Sequence, residues 1–338
     1  MASSEVNDSV QYFEGVEKLL EIWFTKTDGN DKHCDLRKIP RQQLESLLKI
    51  VRCEVISFSS NDQVDAYVLS ESSLFVARRR FILKTCGTTT PLQCLTPLML
   101  LVENYAGFDQ VEDVFYSRKN FKRPDLQKNP HRSFEKEVAL LDSFFANGGT
   151  AYCLGSPARD CWYLYTLNPP NPHPPQPDQT LEVLMTDLDP QVMKIFTQEG
   201  SSSAADATQK SGIDLIIPQM AIDDYLFEPC GYSMNGIAKN GCYMTIHITP
   251  EKDFSYVSFE TNMPQASYQQ LIERVVNTFR PGKVVITVFA NKESVAAEFP
   301  KAVQQMATVG EELRRHDLQY CRLHNYDLTF AFYSKFPS

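Results

Sequence analysis

In the stretch YFEGVEKLLEIWF (12–24), apolar residues at 13, 16, 19, 20, 23 and 24 recur every three or four positions. That spacing predicts a helix over 12–24, with Glu14, Glu17 and Glu21 together on its solvated face. RCEVISFSS (52–60) and VDAYVL (64–69) read as strands around an SSND turn. In LFVARRRFILKT, strand alternation sends Arg78 and Arg80 one way and Arg79 the other. PLQCLTPLMLLVENYAG reads as a helix with Pro91 near its start and Gly107 after its end. SFEKEVALLDSFFANGG is a second helix, and TAYCLGSPARDCWYLYTLN a hairpin around a Ser-Pro turn.

Further along, NPPNPHPPQPDQT (168–180) is too proline-dense for anything but an extended surface loop or a linker. TQEGSSSAADATQKSG (197–212) is a second weak spot, small and polar. YMTIHITP and FSYVSFETN alternate with period two, SYQQLIERVVNTF has a helical period, and KVVITVFAN and DLTFAFYSK are further strands. Hairpin spacing dominates over strand–helix–strand spacing, which predicts a layered α+β fold with large, mainly antiparallel sheets. Each half offers hairpins followed by an amphipathic helix, a hint of internal duplication without a residue-level repeat.

Composition narrows the class. The 338 residues are 43% apolar and 11% aromatic, enough for a sizeable core. A formal charge of −9 argues against nucleic acid as the main partner and suits a cationic ligand better. The N-terminal MASSEVNDSVQ has no basic or apolar signal region, and LTPLMLLV is too short to span a bilayer, so no membrane role is expected. The cysteines at 34, 53, 86, 94, 153, 161, 230, 242 and 321 form no CxxC or tight Cys/His cluster. Neither a disulfide framework nor a metal site is indicated, and the chain reads as a reduced cytoplasmic protein. No dinucleotide fingerprint, Walker A or HExxH is present, and GYSMNG misses the spacing of a nucleophile elbow.

The candidate chemistry gathers around YVLSESSLFVARRRFILKTCGTT (67–89). Ser-Glu-Ser-Ser is ordinary turn material, because serine hydroxyls compete for backbone hydrogen bonds. In a strained turn, however, Ser72 Oγ can attack the Glu71 carbonyl and replace the amide by an ester. Loss of the Ser72 α-proton then expels Glu71 as a carboxylate, and the dehydroalanine left behind hydrolyses to a pyruvoyl group. This needs a base and an oxyanion stabiliser. His247 lies in a strand with Tyr243, Thr245 and Thr249 on its face. It and Ser233 are candidate helpers. Cys86 precedes a glycine after a strand, a core cysteine or a site thiol.

The same segment closely resembles the self-processing site of the eukaryotic S-adenosylmethionine decarboxylase proenzyme family. YFEGVEKLLEIWF, FYSRKNF, CWYLYTL, QPDQTLEVLM, PCGYSMNG, TIHITPE and FSYVSFETN are also similar to that family, in its order, from about residue 12 to 290. The resemblance implies a four-layer αββα sandwich forming one domain over 1–338. It implies cleavage at Glu71–Ser72 into a β chain (1–71) and an α chain (72–338), with a pyruvoyl cofactor from Ser72 that forms a Schiff base with the substrate. His247 and Ser233 match its processing residues, His247 as base; Cys86 matches the proton donor, and Glu14 and Glu17 its active-site glutamates. Glu21 keeps its solvated reading. Phe13 and Phe227 match an aromatic pair around adenine, while Leu69, Glu71 and Glu251 match substrate contacts. Asp178, Glu182 and Glu260 match a putrescine-binding acidic cluster, with Lys18, Lys84, Phe115 and Phe289 as its neighbours. A homodimer of αβ units is implied as well.

The chemistry needs such parts. Loss of CO₂ from an amino acid leaves a carbanion that only a carbonyl electron sink stabilises, and a thiol of suitable pKa returns the proton. Aromatic faces and carboxylates suit the fixed positive charge of a sulfonium. Two rivals remain: a self-cleaving hydrolase with a free N-terminal serine, and an inert, uncleaved paralogue acting as a regulatory partner. Intact Ser72, Cys86, Ser233 and His247 count against the second.

Overall fold

Residues 18–25 form a strand, not the helix that their spacing predicts. The computed structural model, which describes residues 12–146, 148–169 and 176–335, shows why. Leu20, Ile22 and Phe24 face one apolar core, while Leu19 and Trp23 pack on the other side of the sheet. A strand buried on both faces reads as a near-continuous apolar run, and its period of two is lost. Residues 12–17, ahead of it, are an irregular strap.

The first sheet contains β1 (Lys18–Thr25), β2 (Val55–Ser60), β3 (Val64–Leu69), β4 (Ser72–Ala77), β5 (Arg80–Thr85), β6 (Gln110–Lys119), β7 (Thr150–Gly155) and β8 (Cys161–Thr166). Their spatial order is β2-β3-β4-β5-β1-β6-β8-β7. The second contains β9 (Gln179–Leu188), β10 (Ala221–Leu226), β11 (Tyr232–Ile237), β12 (Tyr243–Thr249), β13 (Tyr256–Thr261), β14 (Pro281–Asn291), β15 (Thr308–Val309), β16 (Leu313–Arg322) and β17 (Tyr326–Lys335). Here the order is β10-β11-β12-β13-β9-β14-β17-β16-β15.

Every described pairing is antiparallel. Both sheets follow one plan. An early strand (β1, β9) sits at the centre, a four-strand meander lies on one side, and a strand followed by a hairpin lies on the other. The duplication is thus topological, where no repeat shows at the residue level.

Four layers follow from the cores. Leu44, Leu47 and Leu48 of the helix Arg41–Ile50, with Leu95, Leu98 and Leu141, cover the outer face of the first sheet. Leu271, Ile272, Val275, Val276 and Phe279 of the helix Gln269–Phe279 cover the second. Between the sheets, Phe115, Trp162, Leu164, Leu184, Val285 and Phe330 form one apolar cluster, and Ala66, Phe75, Ile82, Ile237 and Tyr243 another. The result is the expected αββα sandwich.

Two local expectations change. Arg78 and Arg79 lie between β4 and β5 as a turn, with their Nε groups donating to the Cys34 and Phe24 carbonyls at 3.0 Å. The "weak spot" at 197–212 contains a helix, Ala204–Ser211, with Ser203 capping its start and left-handed Gly212 its end. Its small polar residues hid it, and its caps were the available signal. Of the proline-dense loop, residues 170–175 lie outside the described residues, as does the MASSEVNDSVQ terminus.

Candidate active site

β3 and β4 meet at a two-residue turn, Ser70–Glu71, with Leu69 paired to Ser72. Ser72 is buried and sits at φ +118°, a left-handed conformation that costs a non-glycine residue of order 1–3 kcal/mol. Its hydroxyl donates to the Glu17 carboxylate at the end of the strap. Across the turn, the Cys86 N–H donates to the Glu71 carbonyl at 3.1 Å. The bond between 71 and 72 therefore has a carboxylate on its hydroxyl side and a donor on its carbonyl oxygen.

Glu17 is fully buried. Burial works to raise its carboxyl, but the Lys84 ammonium at 3.7 Å, together with His247 and two serine hydroxyls, holds it below the ordinary carboxylate value. It is therefore ionised at neutral pH. His247 stands 3.7 Å from Glu17 through Nε2. Burial pulls its imidazole down to about 4 despite that carboxylate, so it is neutral at physiological pH.

β11 and β12 place Ser233 opposite His247, with Ser233 Oγ 2.8 Å from Nδ1. Nε2 lies 3.0 Å from Ser73 Oγ and 2.8 Å from Thr245 Oγ1, and Ser73 donates to Asn235 Oδ1 at 2.6 Å. Ser73, Asn235 and Thr245 were not singled out from sequence. Thr245 and Asn235 follow from alternation with His247 and Ser233, whereas Ser73 needed the two sheets to meet.

A pocket of about 270 Å³ opens over Ser72, lined among others by Phe13, Glu71, Cys86, Phe227, His247 and Glu251. Burial, Glu71 and Glu17 push the Cys86 thiol well above its usual value, so it carries its proton. Among the described residues, none hydrogen-bonds the buried Glu251 Oε2, an acceptor suited to a ligand hydroxyl. Leu69 packs its side chain in the helix-side core and does not line the pocket. Glu14 faces the neighbouring cleft, where its carboxylate accepts from Tyr12 OH at 2.8 Å and from the Arg123 N–H at 3.1 Å.

A second cavity lies deeper between the sheets, lined by Glu21, Phe115, Trp162, Asp178, Glu182, Glu260 and Phe289 among others. Glu21 is thus not a solvated helix residue. It is buried, and because β1 alternates, it points between the sheets and pairs with Arg80 at 2.9 Å. Lys18, expected beside this cluster, is on the opposite face of β1 for the same reason and bonds Gly87 and Gln127 instead. Lys84 is there: fully buried, 2.8 Å from Glu260 and 3.7 Å from both Glu17 and Glu182. Asp178 is held by Arg80 at 3.3 Å and Tyr326 at 3.0 Å. Arg80 and Tyr326 were also missed, since nothing local marks them.

The fold and site define an α+β sandwich enzyme whose candidate centre, a buried serine, carboxylate and histidine, lies between two sheets. The adenosylmethionine decarboxylase family matches residues 10–334. An S-adenosylmethionine decarboxylase proenzyme from Drosophila melanogaster is 54% identical over 96% of this chain and 95% of its own length. One from Xenopus laevis is 49% identical over 97% and 96%. A Trypanosoma brucei AdoMetDC monomer superposes with TM-score 0.59 at 27% identity, covering 78% of this chain and 98% of that one. The chain belongs to the adenosylmethionine decarboxylase family, carboxy-lyases that decarboxylate S-adenosylmethionine in polyamine synthesis.

Proposed function

We propose that this chain is a proenzyme that cuts itself between Glu71 and Ser72. Residues 72–338 then become an α chain opened by a pyruvoyl group, and 1–71 a β chain that stays bound. The observation that carries this is a buried serine at positive φ whose hydroxyl meets an ionised carboxylate, beside a carbonyl already held by an N–H.

Glu17 takes the hydroxyl proton as Ser72 Oγ bonds to the Glu71 carbonyl carbon, and the Cys86 N–H meets the charge on the oxygen. The C–N bond breaks and the amine takes up a proton, leaving an ester. Neutral His247 removes the Ser72 α-proton, and Glu71 leaves as a carboxylate. Water then replaces ammonia at the dehydroalanine. The reaction removes the strained torsion at φ +118°, because the pyruvoyl α-carbon no longer carries the nitrogen about which that angle is defined.

In the mature enzyme the ketone supplies the electron sink for loss of CO₂. The chain's residues do the rest. Phe13 and Phe227 offer ring faces to the adenine and sulfonium of S-adenosylmethionine, Glu251 accepts from ribose hydroxyls, and Cys86 returns the proton to the substrate. The test is intact mass under reducing, denaturing conditions. Two chains that split between 71 and 72, the larger blocked to Edman sequencing, are expected; a stable single chain favours the inert-paralogue reading.

Putrescine is proposed for the deeper cavity. Among the described residues, the carboxylates of Glu21, Asp178, Glu182 and Glu260 line it, against the two cations Lys84 and Arg80. A buried excess of carboxylates favours a dication. Burial pushes Glu182 up to about 7, with Glu260 and Glu17 adding to the rise against Lys84. Putrescine binding is therefore expected to tighten about tenfold from pH 6 to pH 8, as that carboxyl ionises. Calorimetry at several pH values checks it. In Glu260→Gln the decarboxylation rate is expected to lose its response to putrescine; a response equal to wild type defeats the assignment. Two αβ units would pair as a dimer, which sedimentation equilibrium reports directly.

A further inference from the structure

Lys18 has no place in the chemistry so far, and its surroundings are unusual. It is fully buried on the helix-side face of β1. Among the described residues no carboxylate lies within ion-pair distance of it. Its Nζ donates to the Gly87 carbonyl at 3.0 Å and to Gln127 Oε1 at 3.3 Å, and lies 5.3 Å from the Phe121 ring centroid. Burial pulls the ammonium down to about 8. Holding a cation there carries a desolvation penalty that an apolar side chain would not. The neighbouring inward residues of β1, Leu20 and Ile22, are apolar, so packing alone does not call for a lysine at this position.

The backbone of Gly87 is held on both sides of its α-carbon. Its carbonyl accepts from Lys18, and its N–H donates to the Glu14 carbonyl at 2.8 Å. Gly87 is at φ +60°, and a Cβ there would meet Phe13 at 3.1 Å and Glu71 Oε2 at 3.2 Å, so the turn has little room to shift. One residue earlier, Cys86 carries both the N–H on the Glu71 carbonyl and the thiol in the substrate pocket.

We propose that Lys18 is a positioning residue. From beneath the sheet, its ammonium and the strap's Glu14 carbonyl clamp the Gly87 peptide and so aim both the amide and the thiol of Cys86. The inference rests on the role of Cys86 proposed above. It also explains what the strap of the small fragment contributes after cleavage: it fixes a turn that belongs to the large one.

The thiol's aim has a specific readout. If the proton goes to the α-carbon of residue 72 and not to the substrate carbon, the substrate amine stays at residue 72 as alanine. The substrate carbon then leaves as an aldehyde after hydrolysis, with no outside oxidant. The fraction of turnovers ending in alanine at residue 72, read by mass, therefore reports the direction of proton delivery.

The experiment compares wild type, Lys18→Met, Lys18→Arg and Cys86→Ala. It follows self-cleavage of the fresh proenzyme, which involves no cofactor, and alanine formation per turnover. In Lys18→Met, cleavage is expected to slow and the alanine fraction to rise, each about tenfold or more, because small displacements of a donor carry costs of that size. Lys18→Arg, which keeps a buried cationic donor, is expected to recover part of both. Lys18→Met within twofold of wild type in both readouts overturns the proposal. So does slowed cleavage with an unchanged alanine fraction, which marks a merely structural residue. If Lys18→Met does not fold, Gln127→Leu removes the ammonium's second anchor and is expected to shift both readouts the same way; no shift in it overturns the proposal. An alanine fraction unchanged in Cys86→Ala defeats the proton-donor reading itself, separately from Lys18.

Discussion

His247→Ala is expected to accumulate as an uncut chain, with cleavage at Glu71–Ser72 slowed by about 10²–10⁴-fold, the usual contribution of a positioned base. The attack of Ser72 Oγ does not need the imidazole, because the hydroxyl already donates to Glu17. The variant should therefore hold an ester at residue 72 in equilibrium with the amide. Hydroxylamine at neutral pH, which cuts esters but spares amides, is expected to release two fragments split between 71 and 72. A variant that cleaves at the wild-type rate removes His247 from the chemistry. The pH profile adds a second check. Burial pulls this imidazole down to about 4, so it stays in its basic form well below the ordinary histidine range. Cleavage is expected to hold its rate from pH 8 down to about 5 and to fall only as pH approaches 4, where an ordinary histidine would already lose half its base form near 6.5.

Lys84→Met is the second large effect. It removes a fully buried ammonium that Glu17, Glu182 and Glu260 share. Breaking a buried pair from one side leaves uncompensated charge and costs about 3–5 kcal/mol, which urea unfolding of the Ser72→Ala proenzyme at pH 7 measures without interference from cleavage. The sign with pH follows from which protons move. The three carboxylates raise the Lys84 pKa above its unfolded value, so its contribution is complete at pH 7 and is lost only above about 10. In the variant Glu17 loses the cation that offsets its burial and its folded pKa rises, and Glu182, already pushed up to about 7 by burial, rises further. Acidification therefore favours the folded variant, and the gap to the parent should narrow between pH 7 and pH 5. A gap that is constant or widening contradicts the shared-cation account. Glu17 also loses the main influence holding it ionised, so Lys84→Met with Ser72 intact should cleave more slowly as well.

Much of this was legible in the chain. Period-two alternation in 243–249 put His247 and Thr245 on one face, and Ile246 and Ile248 on the other, which packs in the outer core. Hairpin spacing identified antiparallel sheets because strands joined by short turns pair with their neighbours. The segment 67–89, together with the seven further motifs spread from about residue 12 to 290, carried the resemblance to the family. The failure at the N-terminal end has a single cause. The segment 12–24 looked like a helix because both faces of β1 are buried, and the polarity that would reveal a strand was absent. From that error came the solvated reading of Glu21, whereas the placement of Lys18 beside the acidic cluster came from the resemblance alone. In a strand these two residues lie on opposite sides, one toward the inter-sheet cavity and one toward the Gly87 turn.

By itself, the sequence determined which residue types were available, the local alternation that aims them, and the turn at Ser70–Glu71. These depend on neighbours a few positions apart. Only the tertiary structure decided what each side chain meets. The contact of Ser72 with Glu17 spans 55 residues, Ser73 with His247 spans 174, and Lys84 with Glu260 spans 176. No local preference encodes such pairs. They form because burying the apolar faces of two sheets against each other forces the polar groups between them to find one another, and the charges that remain there acquire their altered protonation from that shared burial.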